Sequence, residues 1–247
     1  MRVFIFGGTR GLGLALAKHY LLSGHSVTIA GRNLERMAEI TAEKLPNLHY
    51  FALDVADSAA VQAALREYAS QGLDLVIVTA GLYFNDRQHA LDAASTRAML
   101  ETNVNGLSHV LQHASNIMLA QGSGQIAAVA SVAGLLSDYP GASVYSATKR
   151  CVLQLCDSYQ RALSGFGISV TAIIPGYIDT ERLRELNSGS ASHKPFLVTE
   201  AFAVKKIVTA IAKRELRCAF PWQLHMLVWL IGGLPRRLQR LILLRKR

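Results

Sequence analysis

Cysteine is scarce: Cys151, Cys156 and Cys218 are the only three thiols, odd in number and without a Cys-x-x-Cys pair. That argues against a disulfide framework and a cysteine metal site, and points to a reducing, cytoplasmic setting. Proline is scarce too, and no Pro-rich or Gly/Ser-rich linker divides the 247 residues, so one α/β domain is expected. No apolar run reaches the roughly 20 residues that span a bilayer. The longest, residues 219–234, carries Pro221, Gln223 and His225 inside it. The opening Met1-Arg2-Val3-Phe4-Ile5-Phe6 meets glycine too early for a signal peptide.

Acid is nearly missing from one region. From Lys213 onward nine cations face Glu215 alone, a net of +8 that leaves +1 of the total +9 for residues 1–212. The body is close to neutral and has no basic groove interleaved with aromatics, so nucleic acid is not an expected partner.

What is present is an alternation of buried strands and amphipathic helices. Val3-Phe4-Ile5-Phe6 reads as a buried parallel strand. It runs into Gly7-Gly8-Thr9-Arg10-Gly11-Leu12-Gly13 and then a helical pattern through Leu14, Ala17 and Leu21. Strand, glycine turn and helix start form a cradle for a phosphate, because glycine admits close backbone approach and the helix offers free N–H groups. A second strand, Ser26–Ala30, ends at Gly31-Arg32 with no acid to hold a ribose 2′-hydroxyl. Arg32, with Arg10, suits a 2′-phosphate, so NADP(H) is expected ahead of NAD(H).

Further strands are expected at Leu48–Leu53, Leu75–Val78, Gln125–Ser131 and Ile168–Ile174, with a last one at Cys218–Pro221. Helices are expected at 34–42, after an Asp57 or Ser58 cap, around 93–120, at Tyr145–Leu163 and from about Glu200. The pattern predicts a Rossmann-type doubly wound parallel sheet with helices on both faces. Its domain would span 1–221, with 222–247 as an apolar and basic extension. In Tyr145-x-x-x-Lys149 the two side chains share a helix face one turn apart. The ammonium is expected to lower the phenol's pKa below about 10, as proton transfer near neutral pH requires.

Together, Gly7-x-x-x-Gly11-x-Gly13, Asp54, Ala80-Gly81, Asn103, Ser131, Tyr145-x-x-x-Lys149 and Pro175-Gly176 with Thr180 resemble the classical short-chain dehydrogenases/reductases over residues 1 to about 215. The resemblance implies Tyr145 as general acid/base, Lys149 tuning it while holding the nicotinamide ribose, and Ser131 binding the substrate oxygen. It implies that Asn103 holds a water of a proton relay. Cofactor contacts would come from Gly7, Thr9, Arg10, Gly11, Leu12, Gly13, Arg32, Asp54 (at the adenine), Val55, Ala80, Gly81, Tyr145, Lys149, Pro175, Gly176, Ile178 and Thr180. The implied activity is reversible carbonyl–alcohol conversion on a small, apolar molecule, with reduction favoured because NADPH usually donates, and the implied assembly is a homodimer or homotetramer. The competing class is a dinucleotide sensor or scaffold without turnover. Two positions depart from the family pattern: Phe6 replaces a threonine and Thr79 an asparagine.

Residues 182–198, with Asn187-Ser188-Gly189-Ser190, read as a mobile loop over the substrate. Leu135, Leu136, Tyr139, Leu183, Leu186 and Phe196 are expected to line an apolar pocket, with His193 and Lys194 at the surface. Beyond Pro221 two readings of the tail stand. One is an interfacial segment on anionic lipid at the inner face of a membrane. The other is a helix packed across the substrate opening or a subunit interface.

Overall fold

Residue alternation in the strands sets the architecture. The computed structural model describes residues 1–42, 45–84, 92–136, 143–235 and 237–239, and the side chains of 41 and 42 are outside that description. In chain order the elements are β1 (Arg2–Phe6), α1 (Gly11–Leu22), β2 (Ser26–Gly31), α2 (Leu34–Ala42), β3 (Leu48–Ala52), α3 (Ser58–Tyr68) and β4 (Leu75–Val78). They continue with α4 (Ala93–Leu100), α5 (Gly106–Gln121), β5 (Gly124–Val129), α6 (Ser143–Leu163), β6 (Ile168–Pro175), β7 (Ile178–Asp179) and α7 (Glu181–Glu185). The last are β8 (Val198–Thr199), α8 (Glu200–Ala212), β9 (Arg217–Phe220) and α9 (Trp222–Gly232).

Among the described residues seven strands form one parallel sheet in the order β3-β2-β1-β4-β5-β6-β9. The order reverses between β1 and β4, so their carboxyl ends flank the crevice where open α/β sheets bind ligands. Successive strand residues point to opposite faces. Phe4, Phe6, Val76 and Val78 pack with α3, α5 and α6 on one side. Val3, Ile5, Leu75 and Ile77 pack with α1 and α8 on the other. Both faces are covered, which is why the central strands β1 and β4 read as apolar runs at Val3–Phe6 and Leu75–Val78 rather than as alternating ones.

The expected α/β fold is present, with local differences. β5 stops at Val129, two residues short of the expected end, because Ser131 turns the chain into a 3-10 turn at Val132–Leu135. α6 begins at Ser143 rather than Tyr145. The expected loop at 182–198 includes most of α7, whose first turn is capped by Thr180 Oγ1 accepting from the Leu183 N–H at 3.2 Å. β7 and β8 pair nearby as a separate two-stranded sheet. Between α4 and α5 the helix passes through a wide π turn, Glu101–Asn105, a feature that often marks functional sites.

Candidate active site

The glycine turn is built for close backbone approach. Gly7 has φ of +87°, and a Cβ there would lie 2.5 Å from the Ala80 nitrogen. At Gly13 a Cβ would run into the Gly7 carbonyl and lie 2.5 Å from Thr79 Oγ1. Thr79, where the family pattern has asparagine, donates its hydroxyl to the carbonyls of Phe6 (3.0 Å) and Gly7 (3.1 Å). That bonding ties the turn to the end of β4. Phe6, the other departure, is fully buried and stacks on Phe4 at 4.6 Å.

The helix that follows is unlike several of its neighbours. α3, α4, α7 and α8 each carry a side-chain N-cap, from Asp57, Asp92, Thr180 and Thr199. α1 has Arg10 at that position, with no side-chain cap and no acid in its first turn. Its leading N–H groups and positive dipole end therefore suit an anion. This fits the diphosphate of a dinucleotide. Thr180 stands at the rim, 3.8 Å from where a Cβ on Gly11 would be.

At the end of β2, Gly31 abuts the buried Thr9, whose methyl would lie 2.9 Å from an added Cβ. Arg32 pairs with Asp54 at 3.2 Å, and Asp54 also accepts from the Ala56 N–H at 3.0 Å. The acid assigned to the adenine is thus tied to the arginine assigned to the 2′-phosphate. Arg10 is exposed, Leu12 half-buried, and Val55 and Ile178 are buried. Ala80 donates its N–H to the Phe6 carbonyl at 3.0 Å. Pro175 closes β6, and Gly176 donates its N–H to Phe220 O at 2.8 Å.

Asn103, Ser131, Tyr145 and Lys149 are brought together at the carboxyl ends of β4 and β5. Ser131 caps the 3-10 turn, its Oγ accepting from the Ala133 N–H at 3.2 Å, and it hydrogen-bonds the Tyr145 phenol. Lys149 is buried, and its Nζ donates to the Val129 carbonyl at 2.8 Å and lies 5.7 Å from the Tyr145 ring centre. Asn103 sits in the π turn. Its Oδ1 accepts from the Leu82 N–H at 2.7 Å, while Nδ2 donates to Leu82 O (2.9 Å) and Thr148 Oγ1 (3.0 Å). Thr148 in turn donates to the Tyr145 carbonyl at 2.8 Å. The amide thus braces β4's end against α6.

One electrostatic expectation is corrected. The phenol is not lowered: burial foremost pushes it up to about 12, the Ser131 hydrogen bond opposes this, and Tyr83 and Tyr177 add to the rise. Burial also depresses Lys149 to about 8. Withdrawing both groups from water disfavours each charged form, and the ammonium's direct hydrogen bond goes to a carbonyl rather than the phenol.

Three residues were missed by sequence reading. Tyr83 meets Tyr145 edge-on, with ring centres 5.0 Å apart. Tyr177 lies beneath Lys194, whose Nζ is 5.4 Å from its ring. Thr148 links Asn103 to α6. Tyr83 and Tyr177 follow the ends of β4 and β6, a positional signal available in advance. Among the expected pocket residues, Leu136 instead packs with Val132 beneath Leu224 and Val228 of α9. Leu135 and Phe196 are exposed, Leu183 and Leu186 half-buried, and Tyr139 lies outside the described residues. His193 is exposed as expected, whereas Lys194 is half-buried over its ring.

These features define a dinucleotide-binding α/β fold with a Ser/Tyr/Lys cluster at its carboxyl edge. The short chain dehydrogenase family model matches residues 1–191. An uncharacterized oxidoreductase of Mycobacterium tuberculosis is 31% identical over 97% of this chain and 96% of its own. An NADP-dependent 3-hydroxy acid dehydrogenase of Shigella flexneri is 31% identical over 72% of this chain and 73% of its own. The solved structure of ElxO with NADP bound superposes with a TM-score of 0.79, at 25% identity, covering 88% of this chain and 96% of that one. The chain belongs to the short-chain dehydrogenase/reductase family. It is an oxidoreductase of the kind that acts on CH–OH groups with a nicotinamide cofactor.

Proposed function

We propose that this chain is an NADP(H)-dependent carbonyl reductase acting on an apolar aldehyde or ketone. The observation that carries the reading is the convergence of the Ser131 hydroxyl, the Tyr145 phenol and the buried Lys149 ammonium at the sheet edge that also bears the glycine turn. Bound NADP(H) supplies the hydride. The proton steps fall to this chain. Ser131 and Tyr145 present two O–H donors where negative charge develops on the carbonyl oxygen, and Tyr145 delivers the proton. A phenol raised to about 12 keeps that proton throughout the neutral range, which is the state that reduction uses. Lys149 holds positive charge beside the developing anion and would hold the nicotinamide ribose of a bound cofactor.

The uncapped start of α1, Gly7, Gly11 and Gly13 would hold the diphosphate, and Arg10 and Arg32 the 2′-phosphate. NADP in the ElxO structure and in the name of the Shigella relative supports that choice over NAD. The relative's name also points to hydroxy acids. The family match, however, ends at residue 191, before α8, β9 and α9, and the rings of Tyr83 and Tyr177 stand near the Tyr145 phenol. These support an apolar substrate. The proposal includes a cytoplasmic homo-oligomer whose catalytic unit spans 1–221 and whose 222–247 extension touches a membrane peripherally.

The test is a screen of aldehydes and ketones of increasing chain length, followed at the nicotinamide absorbance with wild type and Tyr145→Phe. Reduction of medium or long chains by wild type alone is expected. Equal reduction by the two proteins would contradict proton delivery by Tyr145, whereas cofactor binding with no carbonyl reduced would favour the dinucleotide sensor.

A further inference from the structure

α9 is apolar except for Gln223 and His225, yet only one of its sides is buried. Leu224 and Val228 face inward and pack on Val132 and Leu136, with Tyr177 and Ile231 alongside. Leu224 comes so close to Gly176 that a Cβ there would lie 2.5 Å from its Cδ2. His225 Nε2, 2.8 Å from the Ile174 carbonyl, donates to it and ties the helix to the end of β6. The inner face of α9 therefore packs on the chain that directly follows Ser131 and on Tyr177 and the end of β6.

The outer face has different chemistry. Trp222 (65% exposed), Met226 (50%), Trp229 (76%) and Leu230 (53%) form one stripe at i, i+4, i+7 and i+8, with Leu227 at its flank. α9 carries no Asp, Glu, Lys or Arg. A helix hydrophobic all round belongs in a core or against lipid, not in water, and an exposed contiguous apolar patch marks an interaction site.

Charge specifies the partner. Residues 236–247 contain Arg236, Arg237, Arg240, Arg245, Lys246 and Arg247 and no acid. Gln239 is buried, and its amide donates to the carbonyls of Gly232 (3.1 Å) and Leu234 (2.8 Å). That holds residues 237–239 at the carboxyl end of α9, with Arg237 and Leu238 exposed there. Arg236 and residues 240–247 lie outside the described residues. Tryptophan favours the boundary between hydrocarbon and headgroup, and arginine favours anionic headgroups. At about 1.5 Å per residue α9 is roughly 16 Å long, and no helix among the described residues is long and apolar enough to cross a membrane. An apolar helix lying in the interface beside a basic segment remains.

We infer that α9 is a two-sided interfacial helix: Trp222, Met226, Trp229 and Leu230 seat in an anionic lipid surface while Leu224 and Val228 wall the catalytic site, so the substrate is a lipid-dissolved carbonyl drawn from the bilayer. This deepens the peripheral membrane contact proposed above by assigning it to α9 rather than to tail charge alone.

Trp222 and Trp229 are the only two tryptophans in the chain, so intrinsic tryptophan emission reports on this face alone. The full-length protein is mixed with phosphatidylglycerol or phosphatidylcholine vesicles whose acyl chains are brominated. Quenching with a blue shift on phosphatidylglycerol, and little on phosphatidylcholine, is expected. Met226→Ser with Leu230→Ser should weaken partition at least tenfold and leave reduction of a water-soluble carbonyl unchanged, which also verifies folding. Co-sedimentation without quenching, unaffected by the double variant, would overturn the inference and leave a tail-only membrane contact standing. No co-sedimentation with either vesicle would overturn both. A larger assembly in sedimentation velocity for wild type than for the double variant, again without quenching, would make this face a subunit interface and overturn the lipid assignment.

Discussion

The first turn of α1 and the outer face of α9 make an instructive pair. Each is a helix surface without the protein groups that would ordinarily satisfy it, and each departs from its neighbours in doing so. At α1 the missing groups are polar: a cap side chain and a first-turn acid. At α9 they are apolar, since five large side chains face water. On the readings proposed above the two deficits take opposite ligands, a phosphate in one case and hydrocarbon beneath anionic headgroups in the other. The catalytic cluster lies between them, with the glycine turn joined to it through Thr79, Ala80 and Gly81, and α9 through Val132 and Gly176.

If the two surfaces are separate in function, changes at the polar end should remove chemistry without altering vesicle binding. Tyr145→Phe gives the largest effect: turnover should fall by about 10²–10⁴-fold, read at saturating carbonyl, with NADPH affinity by fluorescence titration nearly unchanged. Gly13→Ala comes next. Its methyl would meet the Gly7 carbonyl, so a loss of about 1–3 kcal/mol in denaturant unfolding and weaker NADPH binding are expected.

Lys149 provides a pH test. Below about pH 8 the ammonium is charged in both folded and unfolded chains, so its burial opposes folding in full. Between about 8 and the unfolded value of 10.5 only the unfolded chain keeps the proton, so the native state binds fewer protons and gains stability as pH rises. Relative to Lys149→Met, wild type should gain on the order of 2 kcal/mol from pH 7 to 10 in urea titrations. A flat difference would mean that the lysine is not held in its depressed state. Arg32→Asp should shift the NADPH/NADH affinity ratio about tenfold toward NADH, roughly 1.4 kcal/mol, because it removes a cation and sets a second acid beside Asp54. The smallest effect is expected at the exposed Arg36–Glu181 pair, 3.2 Å apart, where Arg36→Ala should change stability by no more than about 0.5 kcal/mol.

The fold was legible because the centre of a parallel sheet covered on both faces needs apolar strands, and Val3–Phe6 and Leu75–Val78 are such runs. The glycine turn was legible for a related reason, since positions such as Gly7 and Gly13 leave no room for a side chain. The direction of the Tyr145 shift was not legible. Spacing along α6 shows that Lys149 is one turn away, but burial of both groups depends on residues from β4, β5 and β6 that meet only in the fold. Tyr83 and Tyr177 were signalled by their places after β4 and β6, but their contact with Tyr145, 62 and 32 residues away, depends on the fold for the same reason. The tail was half legible. Its apolar and basic character is plain in sequence, whereas the division of α9 into a wall and an exposed stripe depends on which turn meets Val132 and Leu136.

Isotope transfer tests the central claim most directly. With NADPH deuterated at the transferring position of the nicotinamide C4, wild type should place one deuterium on the carbinol carbon of the product alcohol, and Tyr145→Phe should place almost none in the same time. Unlabelled alcohol from wild type, or equal labelling by the two proteins, would contradict hydride transfer completed by the Tyr145 proton.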